Sequence, residues 1–296
     1  MKNEKIINSV LFEDIRAKIA AYLKIPSLSR SEELFIASLV KRLSAADIQK
    51  HYSIELVDDT IRVFCRRGSA TTVFTHADRV PTSSKAIVET IKVKGDLYLE
   101  SQLDNAVSIA VMMRLIEQNT PLNWVITTRE ECCTNQYQIL NYLLAFPKQS
   151  LIDLDIDVTD NAERDIFSGA VSIRNRDNYL PYNQELIGEL RAAADKLGIK
   201  HVAKDGEWMI NQLGMALNTY CATLSLAHAT LHRTMRFAYL GIPIWNYHTA
   251  KEFAHSGAIV NACRVLEEFA KGRKSEVRRL RTEDGRPMYN GSWKAY

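Results

Sequence analysis

Histidines and carboxylates stand at the ends of several apolar, strand-like runs in this chain. They are His76, Asp104, Glu130, Glu131, Asp157 and His248. In an open parallel sheet the carboxyl ends of the strands gather at one edge, where ligands bind. Residues spread over 172 positions (248 − 76) can therefore meet at one site. Two histidines with several carboxylates suit zinc, cobalt or manganese, and an adjacent free glutamate can serve as the general base of metal-assisted hydrolysis.

The elements that must position these residues alternate between strands and helices. The strand-like runs are TTVFTHA, NWVITTR, SLIDLDIDVT and GIPIWNYH, and the helical segments include residues 105–117, 183–197 and 211–235. This alternation favours an α/β fold, a mostly parallel mixed sheet with helices on both faces that form a three-layer sandwich. The stretch YSIELVDDTIRVFC predicts a hairpin that turns at Asp58 and Asp59. We expect one domain over residues 1–296, with a charged tail from about 271 to 296.

Three aspartates alternate with apolar residues in SLIDLDIDVT. Asp153, Asp155 and Asp157 share one face, because side chains along a strand alternate with a period of two. Like charges on a buried face are costly unless a cation or solvent offsets them. Asp157 lies nearest the carboxyl end and is the expected ligand; Asp155 is the alternative.

Two of the candidates have structural roles open to them as well. Asp78 follows His76 in a His-x-Asp pattern, and its carboxylate can fix the ring tautomer that a metal ligand requires. Asp104 precedes a helix, so it can cap the helix, bridge two cations, or do both.

The Glu130–Glu131 pair and His248 complete the set. One glutamate can coordinate while the other takes a proton from water; two solvated acids are the alternative. Glu252 follows His248 by four residues and is a candidate supporting partner. His228 and His232 are also four apart but lack the HExxH glutamate, so we expect them to line a cleft or to have no role.

Composition excludes several other classes of protein. A net charge of +3, with no interleaving of basic and aromatic residues, argues against nucleic-acid binding. Five cysteines without a CxxC pair indicate reduced thiols and a cytoplasmic location. The first residues carry acids among the apolar positions, unlike a signal peptide, and no apolar run is long enough to cross a membrane.

With these residues identified, the chain resembles the di-zinc exopeptidases, most closely the branch of tetrahedral and glutamyl aminopeptidase-like proteins. The motifs that carry the resemblance are FTHADRVP, SQLDNAVSIAVMMRLI, TTREECC, DIDVTD and IPIWNYHTAKE. The resemblance implies two divalent ions, zinc first and cobalt or manganese as alternatives. It assigns one ion to His76, Asp104 and Asp157, and the other to Asp104, Glu131 and His248. In it Glu130 is the general base, and Asp78 supports His76.

One departure concerns the domain that tetrahedral aminopeptidases insert between the first histidine and the bridging aspartate. Here that interval is only 28 residues (104 − 76), so the inserted domain is missing. The family's large cage uses this domain, which argues against a cage and leaves smaller homo-oligomers open.

The resemblance implies a metal-dependent aminopeptidase that removes N-terminal residues from peptides. The alternatives are a deacylase of small N-acyl substrates on the same metal pair and a non-catalytic relative.

Overall fold

The computed structural model describes residues 2–82, 87–132, 134–159, 162–177, 180–203, 205–206 and 236–277. The predicted helix over 211–235, with His228 and His232, lies outside the described residues, as does most of the charged tail.

Eight helices and fourteen strands make up the described part of the chain. The helices are α1 (Lys2–Tyr22), α2 (Glu33–Leu43), α3 (Ala46–Gln49), α4 (Ala106–Glu117), α5 (Gln136–Ala145), α6 (Ala162–Asp165), α7 (Gln184–Lys196) and α8 (Ser256–Val277). The first seven strands are β1 (Tyr52–Val57), β2 (Thr60–Cys65), β3 (Thr71–His76), β4 (Glu89–Val93), β5 (Asp96–Ser101), β6 (Asn123–Thr127) and β7 (Ser150–Val158). The others are β8 (Val171–Ile173), β9 (Arg176–Asp177), β10 (Leu180–Pro181), β11 (His201–Val202), β12 (Asp205–Gly206), β13 (Arg236–Trp245) and β14 (Glu252–His255).

A mixed sheet of eleven strands forms the centre of the fold, with the main order β1-β2-β6-β3-β7-β13-β14-β5-β4. Its four central strands, β6, β3, β7 and β13, are parallel to one another. The strands outside them on this path pair antiparallel. The predicted α/β fold class is therefore confirmed, with the parallel part concentrated in the middle of the sheet. A second sheet has the order β10-β9-β12.

The central strands are buried on both sides. All residues of β3 and β6 are buried, as are all but the last of β7, which agrees with their continuous apolar runs. On β3, Phe74 packs edge-on against Tyr142 of α5, whereas the next residue, Thr75, accepts a hydrogen bond from Asn105 at the start of α4. Because successive side chains of a strand face opposite sides, helices cover both faces.

Local sequence explains the turns at several element ends. Asp58 and Asp59 both have positive φ (50° and 61°), as a two-residue turn of the favoured hairpin type requires, and the predicted hairpin is formed. Asn183 caps α7 by accepting the N–H of Leu186. Gly198, at φ 64°, follows the end of α7 in the left-handed conformation that glycine adopts without strain.

Among the described residues, no helix has the length and hydropathy that a bilayer-crossing segment needs.

Candidate metal centre

The candidate residues converge at the carboxyl edge of the parallel strands. His76 is the last residue of β3, Asp155 lies near the end of β7, and Glu130 and Glu131 follow β6. Asp104 and His248 come from the neighbouring antiparallel part of the sheet. Asp104 lies between β5 and α4, and His248 lies between β13 and β14.

A first ligand group consists of His76, Asp104 and Asp155. Nε2 of His76 lies 3.3 Å from Oδ1 of Asp104 and 3.5 Å from Oδ1 of Asp155. All three residues are buried. The donor atoms are therefore close enough to share one cation.

A second ligand group consists of Asp104, Glu131 and His248. Nε2 of His248 lies 3.0 Å from Oε2 of Glu131 and 3.6 Å from Oδ2 of Asp104. The His248 side chain is 37% exposed and that of Glu131 only 3%, so this group forms the more open side of the site.

Asp104 belongs to both groups, and its two oxygens are divided between them. Oδ1 is the atom near His76, and Oδ2 is the atom near His248. A carboxylate that bridges two cations has this arrangement. The helix that follows uses Asn105 rather than Asp104 at its N-cap position, so the capping role considered for Asp104 is not seen.

Glu130 is not part of the first group, although its carboxylate forms a further close set of possible ligand atoms with His76 and Glu131. Its Oε2 is 3.9 Å from Nε2 of His76, farther than either carboxylate of the first ligand group. The Glu130 side chain is 15% exposed, so it can reach water at the mouth of the site.

Asp157, the expected ligand, lies outside the cluster. Its Oδ1 is 2.6 Å from Nη2 of Arg174, and both side chains are buried. The guanidinium of Arg174 also stacks 4.5 Å from the centre of the Tyr239 ring. The structure thus places Asp157 in an ion pair and gives its expected position to Asp155, the alternative.

The register of the sheet accounts for the different surroundings of Asp155 and Asp157. In the parallel pair of β3 and β7, Phe74 lies opposite Asp153. Two residues further along both strands, His76 reaches the level of Asp155. Asp157 is one pleat beyond, where the segment after β8 delivers Arg174.

Asp78 organises the backbone around both groups. Its Oδ1 lies 3.4 Å from Nδ1 of His76, consistent with the predicted supporting contact. The same carboxylate accepts the N–H groups of Glu130 and Glu131, both at 2.9 Å, and the hydroxyl of Ser29 at 2.8 Å. One buried carboxylate therefore ties the end of β3 to the turn after β6.

Burial and the neighbouring charges shift the pKa values of the clustered carboxyls. Burial raises the pKa of Glu131, and the charge of Asp104 adds to this, so that the pKa reaches about 7. Burial also raises the pKa of Glu130 well above its usual range, against the opposing charge of His76. Burial acts in the same direction on Asp104, but hydrogen bonds with His248 and His76 outweigh it and hold its pKa at about 2.

The pKa values of both histidines are raised. Burial lowers the pKa of His248, but its hydrogen bonds to Asp104 and Glu131 outweigh burial and raise the pKa to about 10. Burial opposes the charge on His76 too, yet the charges of Glu130 and Asp155 raise its pKa well above the usual range. In the metal-free protein, protons on the histidines therefore offset the carboxylates.

The residues fit a pair of divalent cations. Four carboxylates and two imidazoles crowd one site that is buried except on the His248 side, and such a set is costly unless positive charge compensates it. Within the described part of the chain, Oε1 of Glu131 is buried without a hydrogen-bond partner, although the side chain is acidic. An oxygen in this state is available to a cation.

Two contacts near His248 add to what sequence reasoning identified. The ring of Tyr247 stacks on that of His248, with 3.5 Å between ring centres and 29° between planes, and no sequence pattern pointed to it. Glu252, the candidate supporting partner, binds the backbone N–H of His248 rather than its ring.

Comparison with known proteins identifies the fold. The chain superposes on the TET1 peptidase of Pyrococcus horikoshii, which can assemble into a tetrahedron or a large octahedral shell, with TM-score 0.64 and 12% identity over 86% of this chain and 99% of the other. It matches a TET aminopeptidase of a marine sediment thaumarchaeon with TM-score 0.66 and 8% identity over 88% and 99%. A tripeptidase of Staphylococcus aureus gives TM-score 0.59 and 11% identity over 89% and 99%.

These likenesses confirm the predicted fold, which the chain shares with these three peptidases. No family model matches the chain, and no curated protein matches it in sequence. Between His76 and Asp104, the described residues form the hairpin of β4 and β5, in keeping with an interval too short for an inserted domain.

Proposed function

We propose that this protein is a two-metal aminopeptidase that removes N-terminal residues from peptides. The observation that carries the proposal is the division of the Asp104 carboxylate between two ligand groups, one oxygen near His76 and the other near His248. A peptidase fold shared with aminopeptidases and a tripeptidase supports the same reaction class.

In this proposal each ligand group binds one cation. His76, Asp104 and Asp155 would hold one divalent cation, and Asp104, Glu131 and His248 would hold the other. Zinc suits this mixture of imidazole and carboxylate, and cobalt or manganese can replace it. When bound, the two ions supply Lewis acidity that polarises the scissile carbonyl and makes the attacking water more acidic.

Glu130 is the residue placed to move protons. Its carboxylate lies beside the first ligand group and is partly exposed to water. The backbone N–H of Glu130 donates a hydrogen bond to Asp78, which holds the turn in place. In the proposed reaction Glu130 takes a proton from the attacking water and returns it to the leaving amine. Asp78 keeps both the Glu130 turn and the His76 ring in place.

Metal content and substrate choice together test the proposal. Elemental analysis of the purified protein should find about two transition-metal equivalents, and fewer in His248→Ala. His201→Ala is the matched control, because His201 is a partly exposed histidine that pairs with Asp195 away from the cluster. The control should keep the wild-type metal content.

A peptide with a free N-terminus should then be cleaved at its first bond, while its N-acetylated form should persist. Cleavage of the acetylated form alone would instead assign the site to a deacylase. A protein that takes up no metal, even with excess zinc or cobalt, would contradict the proposal and favour a non-catalytic relative.

A further inference from the structure

Glu252 joins the two chain segments that carry Asp104 and His248. It is the first residue of β14 and is fully buried. Its Oε2 accepts the N–H of Asp104 at 2.8 Å and also the N–H of Leu103. Its other oxygen, Oε1, accepts the N–H of His248 at 2.8 Å.

The segments held in this way are far apart in the sequence. Leu103 and Asp104 follow β5, whereas His248 lies in the turn between β13 and β14. Both segments lead into a side chain of the second ligand group. Glu252 therefore fixes the backbone positions from which two of the three donor side chains of that group extend.

The backbone of His248 needs such support. Its φ of 60° lies in the left-handed region, which residues with a side chain seldom adopt. Such a conformation persists only where the surroundings over-determine it. The bond from the His248 N–H to the buried Glu252 carboxyl group supplies such support from outside the turn.

We propose that Glu252 is a positioning residue that sets the distance between Asp104 and His248 and so forms the second cation site. This inference rests on the proposed two-metal function, and it adds to that function a residue that touches neither cation nor substrate. Glu252 acts through the backbone, since its contacts with Asp104 and His248 are with their N–H groups.

The role depends on two acceptor oxygens, each of which binds a different segment of the chain. A glutamine keeps one oxygen and replaces the other with an N–H₂ group, which cannot accept a backbone N–H. The remaining oxygen can accept two hydrogen bonds if it faces Leu103 and Asp104, but only one if it faces His248, so we expect it to face Leu103 and Asp104. Glu252→Gln should therefore release His248 while leaving Asp104 in place.

Metal titration gives the first readout. Zinc binding followed by calorimetry should show two sites in the wild type. In Glu252→Gln the second ion should bind about 10- to 100-fold more weakly, the usual cost of losing a group that orients a ligand, while the first is unchanged. Glu252→Asp keeps the charge but is too short to reach both segments, and it should lose affinity similarly.

Amide hydrogen exchange of the metal-free protein gives the second readout. The peptide containing His248 should exchange faster in Glu252→Gln, while the peptide containing Leu103 and Asp104 stays protected. Glu117→Gln is the matched control. Glu117 is a largely buried glutamate that pairs with Lys18 and Arg42 far from the cluster, so its loss should alter stability without changing either local readout.

The outcomes separate this inference from the proposed function. Full zinc affinity in Glu252→Asp with a loss in Glu252→Gln would show that charge alone matters, and would overturn the positioning role. Unchanged exchange at His248 in Glu252→Gln would overturn it too. A wild-type protein that binds no zinc would contradict the proposed function and the second cation site. The exchange experiment would still show whether Glu252 holds the backbone of His248 in place.

Discussion

Nη2 of Arg174 lies 2.6 Å from Oδ1 of Asp157, and neither side chain reaches solvent to any extent. This buried pair neutralises one of the three aspartates of β7. The aspartate two residues earlier, Asp155, faces His76 instead. Two side chains of the same strand and the same chemistry therefore have separable roles.

Substitution of each aspartate by asparagine should separate these roles. Asp157→Asn leaves the guanidinium of Arg174 buried without its counter-charge and should cost about 3 kcal/mol of unfolding free energy. Metal content of the folded protein should not change. Asp155→Asn should lose metal while the metal-free protein keeps or gains stability, since a like charge is removed. Denaturant titration and elemental analysis measure the two effects, and loss of metal in Asp157→Asn alone would reverse the assignment.

The two consecutive glutamates offer a second matched pair. Glu130→Gln should retain about two metal equivalents and lose hydrolysis by about 10²- to 10⁴-fold, the usual contribution of a general base. Glu131→Gln should lose metal from the second ligand group, because Oε2 of Glu131 lies 3.0 Å from His248. Steady-state kinetics with elemental analysis on both variants decides the matter. Wild-type turnover in Glu130→Gln would remove Glu130 from the reaction.

Asp78 should act on both the metal and the base. Asp78→Asn replaces an acceptor oxygen by an N–H₂ group facing the backbone N–H of Glu130 or Glu131. We expect weaker metal binding and a lower kcat, with KM changed less. Ser29→Ala is the milder control, since it removes only the hydroxyl that donates to Asp78. Equal kcat values for the two variants would argue against the organising role.

Stability of the metal-free protein should fall as the pH rises. Burial and the charge of Asp104 raise the pKa of Glu131 from 4.5 to about 7. Hydrogen bonds to Asp104 and Glu131 outweigh burial and raise the pKa of His248 from 6.5 to about 10. A raised pKa stabilises the fold fully below the unfolded value, and this contribution is lost as the pH passes through the folded one.

The Tm of chelated protein should therefore decrease between about pH 5 and pH 10, with a modest share from His248, whose 37% exposure allows solvent screening. Metal affinity should change in the opposite sense, because cations compete with protons for the same atoms. Thermal unfolding with and without a chelator across this range measures both. A Tm of the chelated protein that rises with pH would contradict the assignment of these shifts.

Local sequence was sufficient for the elements that carry the site. The runs TTVFTHA and SLIDLDIDVT became β3 and β7, and the Asp58–Asp59 hairpin formed as expected, since turn chemistry and apolar patterning act over a few residues. Two short strands, one at the edge of the sheet and one between β13 and β5, are not predicted by apolar patterning. The strand Glu89–Val93 is mostly exposed and lacks a clean alternation, and Glu252–His255 has only four residues.

The local sequence pattern could not show whether Asp155 or Asp157 is the ligand. Both satisfy the period of two, so only the pairing register between β3 and β7 distinguishes them. That register depends on contacts between segments about 80 residues apart, which apolar periodicity does not encode. Local sequence does not single out Arg174 either, since Arg164 lies nearer to the three aspartates; the contact of Arg174 with Asp157 follows from the antiparallel pairing of β8 with β13.

The order of the strands has a consequence for how the chain matures. Residues of the second ligand group come from positions 104 to 248, and they meet only after β13 lies beside β7 in the sheet. Contacts between residues so far apart in sequence are slow to form, because the entropy of loop closure is lost before the contacts stabilise the chain. An ion captured there would bind the native state alone and add its binding free energy to that state. Capture of the second ion would thus act as a closing step of folding, one that a half-synthesised chain without β13 cannot perform.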